Sequence, residues 1–168
     1  MACSPLDKRE IVQMTDPGAI FEKHAYELEE GANTDWFFYT IATLVEEVGL
    51  EIGMTIQTGA ILISGTLISE SRYFDEVAKQ IAEKATGQQE IASALTNLCK
   101  IANQAVRDNR ASRVEAGLKG VQPSYFQFKN AKFFSAGTQL SAPGEQGILW
   151  RCKRRDVSGF LIGELNQP

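Results

Sequence analysis

Along this 168-residue chain the hydrophobic positions alternate between helical and strand-like spacing, and each change of period marks an element. Asp16 and Pro17 open a first helix, because Asp caps the exposed amides and proline suits the first turn. Ile20, Phe21, Ala25 and Leu28 then share one side, and Gly31 ends the run. A second helix is predicted from Thr34 to Val48, with Phe37, Ile41, Leu44, Val45 and Val48 as its apolar stripe and Gly49 as its C-terminal cap.

The period then falls to two. In "LEIGMTIQ", Leu50, Ile52, Met54 and Ile56 alternate with more polar neighbours. Thr58-Gly59 leads into "AILISGTLIS", Ala60 to Ser69, so the two runs predict a β-hairpin. The second run is apolar on both faces around Ile61, Leu62 and Ile63, which predicts a central strand covered on both sides. Gly65 interrupts it without a side chain to pack, and this predicts a bend.

Helical spacing returns with Phe74, Val77, Ala78, Ile81 and Ala85. Thr86 and Gln89 then have the spacing of a capping box. A further helix carries Ile91, Leu95, Leu98, Cys99, Ala102 and Val106, and Asp108 to Ser124 reads as a loop. In "YFQFKNAKFF" the alternation changes phase, from Phe126 and Phe128 to Ala131 and Phe133. A strand can slip phase only through a bulge, here near Asn130. "SAGTQLSAPGEQG" reads as a flexible loop by composition. "ILWRCKRR" and "VSGFLIGEL" are expected to form a last hairpin around Arg155-Asp156, with Ile148, Trp150, Cys152, Phe160 and Ile162 pointing inward.

The resulting class is α+β: a small five-stranded antiparallel sheet, strongly bent or closed into an Sm/SH3-like barrel. It would have N-terminal helices and a helical insertion, residues 70–108, between strands two and three. Five short strands need such closure or a covering layer to be stable, and the main competitor is an open antiparallel sheet with helices on one face. Residues 1–32 are expected to be an N-terminal extension with a helix, and residues 33–168 a single α+β domain.

Composition adds little to the fold but restricts function. Apolar residues are 43% and charged residues 23% of the chain, the values of an ordinary globular protein. No apolar run is long enough to span a bilayer, and "MACSPLDKREIVQMTDP" lacks the apolar core of a secretory signal. Cys3, Cys99 and Cys152 are odd in number and far apart, which fits free thiols in a reducing cytoplasm. The net charge of −4 is unevenly placed: residues 1–106 hold 7 Lys and Arg against 16 Asp and Glu, and residues 107–168 hold 10 against 5. This asymmetry could steer a partner or favour self-association, or it could simply reflect two differently solvated faces.

Most catalytic chemistry lacks its residues here. His24 is the one histidine, in a predicted helix among acidic neighbours, where a half-exposed surface role accounts for it. No His, Cys or carboxylate set has zinc spacing, and neither GxxxxGK nor a GxGxxG after a strand is present, so no metal or cofactor is expected. Glu29-Glu30, Glu46-Glu47 and Asp75-Glu76 are adjacent on helices and do not face one another. The strongest charge feature is "RCKRR", with Arg151, Lys153, Arg154 and Arg155. These cations, with Tyr125, Phe126 and Phe128 for stacking, raise the alternative of an Sm-like RNA-binding module. Against it stand the acidic chain and the better use of both phenylalanines as core. A solvated hairpin tip, or a patch for an acidic protein surface, fits the cluster better.

Two segments carry a more specific signal. "GAILISGTLISESRYFDEVAKQI", Gly59 to Ile81, resembles the GvpU family of gas vesicle accessory proteins. So does "FQFKNAKFFSAGTQLSAPGEQGILWRCKRRDVSGFLIGEL", Phe126 to Leu165. There the "KN" strand, the polar loop, the "ILWR" strand and the closing "VSGFLIGEL" recur in one order. With the hairpin from Leu50, the resemblance covers roughly half the chain; the first 30 or so residues have no counterpart in it, and the helices between the two segments do not align with it. It implies a non-enzymatic, chaperone-like cytoplasmic protein that assists or regulates gas vesicle assembly or clustering. The partners would be the gas vesicle shell or other gas vesicle proteins; no membrane is expected, and the acidic charge balance disfavours nucleic acid. Exposed strand edges and a charged rim suit that work. The edge at Leu161 and Ile162 is the first candidate for pairing, with a partner or with another copy in a homo-oligomer. Arg151, Lys153, Arg154 and Arg155 supply the rim.

Overall fold

Asp35 starts the first helix, α1 (Trp36–Val48), by accepting hydrogen bonds from the Phe37 and Phe38 amides at 2.8 and 3.3 Å. Gly49 ends it in the left-handed conformation, its N–H bonded to the Val45 carbonyl. The computed structural model describes residues 35–85, 87–116, 124–135, 138–140 and 147–165. The helix expected from Asp16 to Gly31, the whole extension 1–32 and the capping residue Thr86 lie outside the described residues. The buried stripe of α1 is Phe38, Ile41, Ala42 and Val45, while Phe37 and Val48 are exposed. It is turned by one position at its start, because positions 38, 41, 42 and 45 fit i, i+3, i+4, i+7 spacing better than a stripe begun at Phe37.

The expected hairpin is present as β1 (Ile52–Thr58) and β2 (Ile61–Ile68), joined by Gly59 and Ala60 with Thr58 opposite Ile61. Helices α2 (Glu70–Lys84) and α3 (Gln89–Glu115) follow, then β3 (Tyr125–Ser135), the two-residue β4 (Thr138–Gln139), and β5 (Ile148–Lys153). A single 3-10 turn (Arg154–Asp156) leads into β6 (Gly159–Ile162). The helical insertion between strands two and three is therefore found, but α3 runs past the expected boundary at Asp108. The apolar stripe ends near Val106, yet no Gly or Pro occurs between Gln88 and Ala116, so a solvated helix simply continues.

All pairings are antiparallel, in the order β4-β3-β2-β1-β6, with β5 also on the free side of β3. β2 is central, as its apolar residues on both faces predict. The expected last hairpin is not formed: β5 pairs with β3 and β6 pairs with β1. Between them the chain crosses, its Arg154 amide on the Ser124 carbonyl and its Ser158 amide on the Gln57 carbonyl. Of the residues expected to point inward, Ile148, Trp150, Cys152 and Phe160 do pack on the core, but Ile162, at the end of β6, is 59% exposed, and alternation does not tell which strand each one borders.

Phe126, Phe128 and Ala131 from β3 pack with Met54, Ile56, Ile63, Leu67 and Cys152 against the α1 stripe. The phase slip is located at Asn130, which has φ 55. Around it the register shifts against both neighbours, between Ser64 and Thr66 on β2 and between Phe128 and Ala131 in the β5 pairing. The sheet curls as a result. The Phe38 ring lies 4.4 Å from Phe126 and 4.8 Å from Phe160 between centroids, so those two rings are within about 9 Å. In a flat sheet their strands, three spacings apart, would be separated by roughly 14 Å. Even so the sheet is open: among the described residues no pairing joins β5 to β6, and the expected barrel is not closed.

Candidate functional site

The basic cluster divides when folded. Arg151 points from β5 beneath α2, where its Nη2 meets Glu70 Oε1 at 2.5 Å. Its guanidinium lies 4.1 Å from the Tyr125 ring centroid and 5.5 Å from that of Phe74. A planar cation between an aromatic face and a carboxylate fastens α2 to the sheet. Lys153 and Arg155 are exposed, Arg155 with Asp156 at 3.8 Å, and Arg154 is half-buried in the 3-10 turn. The two arginines and Lys153 thus form an outward corner between β5 and β6, and Arg151 belongs to the scaffold beneath it. Phe126 and Phe128 are core, unavailable for stacking on bases.

Leu161 and Ile162 lie together on β6, which pairs with β1 on one side only among the described residues. They are 46% and 59% exposed, on opposite faces of the strand. Beyond them the chain is tied down. Thr55 donates to the Gly163 carbonyl at 2.9 Å, and the Leu165 amide donates to the Ser64 hydroxyl at 2.7 Å. Thr66 donates to Glu164 at 2.8 Å. Thr55 and Ser64 are buried polar side chains in mid-strand, and these bonds account for both. "GEL" is therefore an anchor lying across the outer face of β1 and β2, and only "GFLI" is strand.

A family model described as gas vesicle protein GvpU-like matches residues 35–165. This chain belongs to the GvpU-like family of gas vesicle proteins. No curated protein matches it, and no solved structure does. The GvpU-like region begins at Asp35, the cap of α1, and ends at Leu165, whose amide is bonded to Ser64. It also includes α1, the end of α2 and all of α3, which lie outside the two quoted segments.

Among the described residues no group of three or more His, Cys, Asp or Glu side chains could hold a metal ion. An open cleft of about 440 Å³ is lined by Gly49, Glu51, Ser69, Ser71, Arg72 and Asp75. Its arginine is already paired with Glu76 at 2.7 Å. Burial pushes the Cys152 thiol up to about 12, so it is a core side chain and not a nucleophile. No helix of the described residues is long and apolar enough to cross a membrane.

Sequence reading missed Glu46, which looks like one of a solvated pair. Its Oε1 accepts the first amide of α2, from Glu70, at 2.8 Å. Burial raises its carboxyl from the ordinary 4.5 to about 7, and the Glu70 charge adds to this, while the Glu70 amide, Arg110 and Arg151 pull it down. The folded chain thus holds this proton more tightly than the unfolded chain. The stabilisation is full below about 4.5 and is lost as pH rises through about 7. Glu46→Gln keeps an acceptor for the amide and removes the titration. By urea unfolding the variant should match the wild type near pH 4 and exceed it by roughly 2–3 kcal/mol near pH 8. Parallel pH profiles of the two proteins would contradict this role.

Proposed function

We propose that this GvpU-like protein is a non-enzymatic accessory factor that assists or regulates gas vesicle assembly or clustering by binding another gas vesicle protein through β6. The observation that carries this reading is an edge strand with exposed Leu161 and Ile162, unpaired on its outer side among the described residues and held by the anchor at Gly163 to Leu165. An extended segment of a shell protein can add to such an edge through main-chain bonds, with apolar pockets reading its side chains. Lys153, Arg154 and Arg155 lie just before this strand and keep the complex soluble. Arg151 takes no part, because Glu70 and Tyr125 hold it.

The edge can be tested without unfolding it. The Gly163 amide bonds to Gly53 of β1, so by antiparallel alternation the Leu161 amide also points inward and that of Ile162 outward. Ile162→Pro removes an outward donor and leaves the β1 pairing in place. In pull-downs with the major shell protein it should weaken capture about tenfold, the effect of one or two lost main-chain bonds and a lost apolar contact. Capture at wild-type strength by a folded Ile162→Pro chain removes β6 as the docking edge.

A further inference from the structure

α3 is a 27-residue helix whose extended packing is with α2. Its inner side is partly polar: Asn103 is buried, with its Oδ1 2.7 Å from the Ser71 hydroxyl and its Nδ2 2.6 Å from Asp75. The apolar residues that would be expected inside instead face solvent. Ile91, Leu95, Leu98 and Ile101 are 57%, 44%, 60% and 59% exposed, and Ala94 and Ala105 beside them are exposed as well. Spacings of four, three and three place these side chains in one stripe over about three turns. Between Glu90 and Arg107 the one charge is Lys100, nearly opposite Leu98 around the helix at about 160°.

We propose that α3 pairs antiparallel with α3 of a second copy of this chain, about a two-fold axis at Leu98. The sizes along the stripe suit that axis. Counting outward from Leu98, Ile91 meets Ala105 of the other copy, Ala94 meets Ala102, and Leu95 meets Ile101. Large side chains face small ones at both ends, and leucines meet at the centre. Charge selects the same direction. The start of α3 carries Glu90, and its end carries Arg107, Arg110 and Arg113 against Asp108 and Glu115. Antiparallel helices bring opposed dipoles together and keep the arginine-bearing ends apart, although Arg107 itself is turned inward, bonded to Asn103 and 3.8 Å from Asp75. The four large side chains expose roughly 400 Å² of apolar surface, the size of the largest patch on a single protein, which is often a functional one. Burying it twice, with the flanking alanines, approaches the roughly 1,200 Å² of a specific dimer.

Sedimentation of the full-length chain at tens of micromolar should give twice the 18.5 kDa chain mass. Leu98→Glu with Ile101→Glu should halve that mass and leave the melting temperature unchanged at low concentration, since both side chains face solvent in one copy. In a Cys3→Ser, Cys99→Ser background, Leu98→Cys should cross-link on mild oxidation and Ser93→Cys, on the far side of the helix, should not. Ile162→Pro should retain the dimer, which separates this contact from the β6 edge. A wild-type monomer overturns the proposal, since the stripe then has another occupant. A dimer that survives Leu98→Glu with Ile101→Glu, or equal cross-linking at positions 93 and 98, overturns it too.

Discussion

Phe38→Ala should lower unfolding stability by about 3–5 kcal/mol, the range for truncating a fully buried aromatic residue. Phe38 is 1% exposed, and its ring is stacked on Phe160 at 4.8 Å and tilted against Phe126 at 4.4 Å. Its position makes it more than one core residue among several. β3 and β6 are three strands apart in an open sheet, and this ring touches a residue from each. Without it, the curl loses a contact that no hydrogen bond between β5 and β6 replaces among the described residues. The melting temperature should fall by roughly 10–15 °C, and β6 amides should lose exchange protection more than those of β2. Phe160→Ala removes one side of the same stack, so the double variant should cost less than the sum of the two. A Phe38→Ala chain within about 1 kcal/mol of wild type would mean that the sheet holds its curl by other means.

How far the sequence revealed this arrangement depends on which physical signal each feature leaves. Helix ends leave local signals, so Gly49 and the entry to α1 are readable residue by residue. The phase slip around Asn130 is local too, since one extra residue reverses every later side chain. Strand partners leave none. β5 and β6 alternate like any hairpin, and only the sheet's curl lets a five-residue crossing place them on opposite edges. The candidate surface was half legible for the same reason. Leu161 and Ile162 read as an apolar strand end, and they are one. Arg151 and Lys153 read as a single basic run, but α2 covers the first and leaves the second in solvent. Glu46 was hidden because its burial depends on the first turn of α2, 24 positions along the chain. The stripe on α3 was visible as a stripe, but periodicity reports only that a helix has an apolar face, not whether its own chain covers it.

The second large effect is expected at the bulge, where glycines stand on both sides of Asn130. A β-carbon added to Gly65 would lie 2.8 Å from the Lys129 carbonyl oxygen and 3.0 Å from Ala131 Cα. One added to Gly147 would lie 2.5 Å from the Asn130 carbonyl carbon and 2.6 Å from its oxygen. These obstacles are backbone atoms, which cannot rotate away as a side chain does, so relief requires moving β3. Gly147 also has φ +79, a conformation that costs an L-residue about 1–2 kcal/mol on its own. With overpacking of about 1–3 kcal/mol, Gly147→Ala should destabilise by about 3–4 kcal/mol. Gly65→Ala should cost about 2 kcal/mol, because it carries the steric cost alone. Both substitutions push on the same bulge from opposite sides, so the shift of β3 that relieves one aggravates the other, and their combination should cost more than the sum of the two in urea unfolding. The bend at Gly65 is thus a matter of clearance: β2 carries glycine there so that the extra residue of β3 can come close. A Gly65→Ala chain as stable as wild type would show that the bulge can retreat from β2 without loss.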